Sequence, residues 1–128
     1  EALEQYQQHA DKFGFDSDIY ELIADSHLAL EDFENAQESA LAGLVDNPAS
    51  IGCLITLVAA TPAGDITDTT FTEKFAATPD PEGSYEAALD YLIDIEDPER
   101  AGSLLVLLKK NHSASDLIEY YDEELGIE

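Results

Sequence analysis

The chain contains no methionine, one cysteine, three histidines and only five lysines and arginines, a single one of them arginine. Each shortage excludes something. Cys53 can form no internal disulfide and no cysteine-based zinc cluster. Its apolar neighbours mark it as a buried, inert thiol. No signal peptide is recognisable, and no apolar run is long enough to cross a bilayer. The longest candidate, IGCLITLVAA from Ile51, has the length of a buried helix. The missing initial methionine is expected of a segment of a longer chain or of a processed mature protein. Five cations stand against 29 Asp and Glu, giving a net charge of −24. That field repels phosphate backbones and anionic lipid, so nucleic acid and membrane are poor partners. Lys/Arg-rich proteins and cations are better ones. The same acids also provide a hydrated coat suited to a salt-rich setting that screens their repulsion.

What is present is a run of helical periods. The 128 residues are 45% apolar, which suits one compact domain or a piece of an elongated array. The first helix is expected over 1–13, with Leu3, Tyr6 and Ala10 on one side and Gly14 ending it. Ser17 or Asp18 opens the second, where Asp18 and Glu21 have capping-box spacing and Ile19, Leu22, Ile23, Ser26 and Leu30 trace one face. Asp32 caps the third, through Phe33, Ala36, Ala40, Leu41 and Leu44. Asn47-Pro48 signals a further start and carries Ile51, Leu54, Ile55 and Val58 to about Ala60. TPAGDITDT and ATPDPEG read as loops around a short helix of Phe71 and Phe75, capped by Thr70 and Glu73. Ser84 starts the next helix, Asp97-Pro98 another, and Ser113 with Asp116 caps the last, to about Leu125. Strand alternation is nearly absent. VLL near Val106 and CLITLV from Cys53 sit inside helical periods and read as helix.

The paired helices carry a 34-residue unit, Ser17 to Ser50. Tyr20, Ile23, Ala24, Phe33, Ala36 and Pro48 occupy its bulky, small, turn and closing positions. This unit resembles a tetratricopeptide repeat. It departs from that pattern at His27 and Ala40, which replace aromatics, and at Gly43, which replaces alanine. The resemblance implies an all-α fold of antiparallel hairpins stacked as a short, irregular superhelix. Within a single helical-repeat domain over 1–128, residues 1–13 would end a preceding repeat and 17–50 form the best one. Residues 51–83 would be a degenerate repeat with loops, and 84–125 the C-terminal helices, matching loosely at Tyr85, Ala88, Leu92 and Ala101 with a register three residues short. In such a hairpin Phe33 plugs the turn, and one unit cannot bury its own face without neighbours.

The resemblance also implies a ligand groove on the first helix of the unit, lined here by Asp18, Glu21, Leu22, Asp25 and Leu28. Three of the five are acidic, which disfavours a peptide carboxylate and favours a basic or amphipathic segment. The plain alternative is that these acids face water. No zinc-protease or EF-hand pattern is present. The clusters Asp65/Asp68, Asp94/Glu96/Asp97/Glu99 and Glu119/Asp122/Glu123/Glu124 offer at most loose cation contact, so no metal or cofactor is expected. His27 reads as a packed histidine with one bonded nitrogen, His9 and His112 as exposed. No nucleophile has a base in evident reach, and there is no glycine-rich phosphate loop. Asn111-His112-Ser113 forms a glycosylation triplet that chance readily supplies. The expected function is a non-enzymatic protein-protein interaction module, cytoplasmic, presenting an acidic groove. The alternative is a structural or capping part of a larger solenoid, its acids serving solubility; the charge pattern resembles proteins of halophilic organisms, although those favour arginine over lysine. A third reading, an acid-surfaced enzyme, places a cleft around the 61–83 loops.

Overall fold

Local signals set the helix boundaries. A computed structural model describes residues 2–66 and 69–126, and these are all-α, with eight α-helices and no strand. The chain divides into two compact units, Glu1–Thr61 and Pro62–Glu128. The first holds α1 (Ala2–Phe13), α2 (Ser17–Ala29), α3 (Phe33–Asp46) and α4 (Ile51–Ala60). The second holds a single 3-10 turn (Ala63–Asp65), α5 (Thr69–Ala76), α6 (Pro81–Asp94), α7 (Pro98–Asn111) and α8 (Leu117–Leu125). The expectation that the first helix includes Glu1 lies outside the described residues.

In the first unit, Gly14 ends α1 at φ +95°, a left-handed conformation that glycine adopts without strain. Asp16, not Ser17 or Asp18, caps α2: its Oδ1 accepts from the Ile19 amide at 2.9 Å. The expected Asp18–Glu21 box therefore falls inside the helix. Packing joins α2 to α3, α1 and α4, and α3 to α4. Ala24, Ala36 and Ala40 are fully buried, so small side chains admit the close approach. The start of α2 lies beside the end of α3, where the Ser17 amide donates to Asp46 Oδ2 at 2.9 Å. A Cβ at Gly43 would press on Cys53 Sγ and come within 3.1 Å of Tyr20 Cβ, which accounts for glycine at that position. Cys53 is buried; desolvation first, then the nearby acids, pushes its thiol up.

Two expectations fail locally. Phe33 stays 42% exposed and does not plug the α2–α3 turn. Hydrogen bonds close it instead: Glu31 sits at φ +59°, and the Asp32 amide donates back to His27 O at 2.8 Å. Pro48 does not begin α4. Asn47 Oδ1 accepts from the Ala49 amide at 3.1 Å and Asn47 O from the Ser50 amide at 3.0 Å, so Pro48 lies in a turn. Ser50 then caps α4.

In the second unit, α6 begins three residues before the expected Ser84, because Asp80 caps it and Pro81 takes its first turn. The Asp97-Pro98 start of α7 holds as expected. Asp116 stands at the N-cap of α8 as expected but makes no side-chain capping bond; Ser115, not Ser113, supplies it, its Oγ accepting from the Leu117 amide at 3.2 Å. Packing joins α6 to α5 and α7, and α7 to α8 and the 3-10 turn. Tyr85, Leu89, Leu92, Leu104, Leu105, Leu108 and Tyr121 form the core.

The two units repeat one another at an offset of 65 residues. Residues 17–50 and 82–115 share nine identities in 34 positions: Tyr20/Tyr85, Glu21/Glu86, Asp25/Asp90, Glu31/Glu96, Asp32/Asp97, Glu34/Glu99, Ala36/Ala101, Ala49/Ala114 and Ser50/Ser115. The backbone repeats too. Glu96 has φ +58°, and the Asp97 amide donates to Leu92 O at 2.9 Å, as at Glu31 and Asp32. Even the helix after each hairpin is held alike. The Thr56 hydroxyl lies 2.7 Å from Asp25 Oδ1, and at the same offset the Tyr121 hydroxyl lies 2.6 Å from Asp90 Oδ1.

Candidate functional site

The expected lining residues do not share one surroundings. Asp18, Leu22 and Asp25 are exposed on α2, whereas Glu21 and Leu28 are half-buried. Glu21 lies against α4, its carboxylate occupying the space a Cβ on Gly52 would take. Burial, then the charges of Asp25 and Asp18, push the Glu21 carboxyl above the ordinary glutamate range. Asp25 also turns toward α4, accepting from Thr56. Two of the three acids thus help seat α4 while remaining part of a negative face. Residues 1–61 carry twelve Asp and Glu against one lysine, a net of −11; residues 62–128 carry seventeen against four cations, a net of −13.

On a different side of α2 a cleft of about 420 Å³ opens among the first three helices. Gln7 and Asp11 line it from α1, with Phe15 from the link to α2. Tyr20, Ile23 and His27 line it from α2 and Asn35, Glu38, Ser39 and Ala42 from α3. Its spacing is helical: 20, 23 and 27 share one side of α2, and 35, 38, 39 and 42 one side of α3. Phe15 and Tyr20 stack at 5.1 Å with 28° between planes. His27, 13% exposed at its side chain, is packed as expected, but its buried Nδ1 lies 3.4 Å from Asp32 Oδ2 without making a hydrogen bond. Asn35 Nδ2 donates to the same oxygen at 2.7 Å. Asn35 first, and His27 after it, hold the Asp32 carboxyl below the usual range.

None of the expected groove residues lines this cleft, and Tyr20 and Ile23, read as structural, do. The cleft also lies in the first unit and not around the 61–83 loops. Comparing the sequence with itself at the 65-residue offset gives only a partial signal: His27, Ser39 and Ala42 of the lining stand opposite leucines, but so do Ala24, Ala40 and Gly43 outside it.

Elsewhere, His9 is exposed as expected, but His112 is half-buried, its ring edge-on to Tyr85 at 5.7 Å. Among the described residues no group of three or more His, Cys, Asp or Glu is arranged to hold a metal ion, and no helix is long and apolar enough to cross a membrane. Asp68 of the acidic clusters lies outside the described residues. No family model, curated protein or solved structure matches the chain.

Proposed function

We propose that the chain is a non-enzymatic protein-interaction module, built as a short tetratricopeptide-like array of antiparallel hairpins. Its α2 face, through Asp18, Glu21, Leu22, Asp25 and Leu28, receives a Lys/Arg-rich or amphipathic protein segment. One observation carries this reading: Asp18 and Asp25 stand exposed about one turn to either side of Glu21 on α2, and their charges add to burial in pushing the Glu21 carboxyl up. A group held up by neighbouring negative charge gains when a cation arrives, since the attraction also relieves that repulsion. Exposed Leu22 beside the acids supplies the apolar contact an amphipathic helix needs.

The test is capture of a basic amphipathic peptide by the 128-residue chain at low and high salt. Capture should fade with salt, and replacing Glu21 and Asp25 by lysine should abolish it while the far-ultraviolet dichroism stays helical. Equal binding by both proteins would end the proposal.

A second reading has its own support. Phe33, Leu41 and Val45 leave α3 apolar and exposed, Val45 at 85%. Such a face suits a structural or capping segment that packs on a neighbouring domain, with the acids serving solubility or high-salt conditions.

A further inference from the structure

The 65-residue repeat gives the molecule an internal control for the α1–α2–α3 cleft. Tyr20 and Tyr85 occupy the same position of the two hairpins. Tyr85 is buried, stacked on Phe75 at 4.1 Å and 8°, and its hydroxyl accepts from Asn111 Nδ2 at 3.3 Å. Tyr20 is half-buried and faces the cleft. Three other lining positions diverge with it, while Ile23, Asn35 and Glu38 stand opposite Ala88, Arg100 and Ser103. His27, Ser39 and Ala42 of the cleft stand opposite Leu92, Leu104 and Leu107, each of them buried. The second unit buries leucines at these three positions and surrounds Tyr85 with Phe75, Asn111 and His112. The first keeps an open cleft at the same positions, lined by both polar and apolar groups.

We propose that this cleft binds an arginine side chain carried by an extended segment of a partner protein. Its chemistry selects that group. Asp11 and Glu38 bring carboxylates from α1 and α3, and no lysine or arginine is among the lining residues. The Phe15–Tyr20 stack offers an aromatic face, which attracts a planar guanidinium both by charge and by stacking. Two carboxylates on different helices match its five fixed donors better than the compact ammonium of lysine. A volume of about 420 Å³ exceeds what one side chain needs, so residues flanking the arginine enter as well, against Ile23 and Ala42. A bound anion is opposed by the net charge of −11 on residues 1–61. This site is separate from the α2 face proposed above: Asp18, Glu21, Leu22, Asp25 and Leu28 do not line it.

Amide chemical shifts of the 128-residue chain, titrated with the peptide acetyl-Leu-Arg-Leu-amide and with its neutral citrulline counterpart, test the proposal. The arginine peptide should produce saturable shifts at Asp11, Phe15, Tyr20, Glu38 and Ser39, and the citrulline peptide should bind about ten-fold more weakly. Replacing Asp11→Asn together with Glu38→Gln should cost about ten-fold in affinity for the arginine peptide, reading the charge without altering the packing. Importing the leucines of the second unit, as Ser39→Leu with Ala42→Leu, should fill the cleft and remove binding; if that protein fails to fold, the charge variant decides. Equal affinity for the two peptides, or full affinity in the Asp11/Glu38 variant, overturns the cleft. Shifts confined to Asp18, Glu21 and Asp25 would overturn it too, by assigning the peptide to the α2 face. Loss of capture at the α2 face alone would leave the cleft standing.

Discussion

Tyr20 and Tyr85 lie near the starts of equivalent helices, precede equivalent turns and meet opposite fates. Tyr85 is enclosed by Phe75, Asn111 and His112. Tyr20 rests on Phe15 at the edge of an open cleft. The difference teaches that the two hairpins share their turn and one small residue, Ala36 or Ala101, while Ala24, Ala40 and Gly43 give way to Leu89, Leu105 and Leu108 and the surroundings vary. Ala36 and Ala101 are both fully buried, and both turns place a glutamate in the left-handed region before a capping aspartate. Those shared features serve folding. The divergent lining is where function has room.

The largest test of this contrast is truncation of the two tyrosines. Tyr85→Ala removes a fully enclosed ring and should destabilise by about 3–5 kcal/mol, whereas Tyr20→Ala should cost only about 1–2 kcal/mol, read by thermal or urea unfolding. Equal losses would mean that the cleft is not open in solution. Next come the paired aspartates. Asp90→Ala leaves the buried Tyr121 hydroxyl with only Glu86 O, at 3.2 Å, and should cost about 1.5–3 kcal/mol. Asp25→Ala should cost about 1 kcal/mol, because the Thr56 hydroxyl retains Gly52 O at 3.0 Å. A smaller effect of opposite sign is expected at the turns. Glu31→Gly and Glu96→Gly should each stabilise by about 0.5–1 kcal/mol, since a side chain at positive φ is strained and glycine is not. The gains should match in the two units, and unequal gains would show that the turns are not equivalent.

The smallest effect concerns pH and separates Glu21 from Asp32. The folded state raises the Glu21 carboxyl above 4.5, so it holds that proton more tightly than the unfolded chain does. Its contribution is present below 4.5 and is lost as pH rises through the folded value. Glu21→Gln should therefore lessen the decline of stability with rising pH. Asp32 is lowered from 3.8, so its contribution is present above 3.8 and lost as pH falls through the folded value. Asp32→Asn should lessen the acid-side loss. Unfolding midpoints measured across acidic to neutral pH check both signs.

The helical period, the Gly14 stop, the Asp32 cap and the Asp97-Pro98 start were legible because they are local: each depends on residues three or four apart. Asn47-Pro48 misled because the same pair suits a helix start or a turn, and only the position of α4 against the hairpin separates them. Phe33 misled for a related reason. Its aromatic ring suggested a plug, but hydrogen bonds had already closed the turn, leaving the ring no cavity to fill. The α2 residues of the candidate groove were locatable from spacing, yet their contacts with Gly52 and Thr56 arise from a helix some thirty residues away.

By itself, then, the sequence determined an all-α chain, its acidity, and the small buried residues that let helices approach, since each follows from side-chain type and short-range spacing. Only the tertiary structure decided that one tyrosine closes a core and its counterpart borders a cleft. That outcome depends on which side chains distant segments bring to the same place, and no local period encodes it.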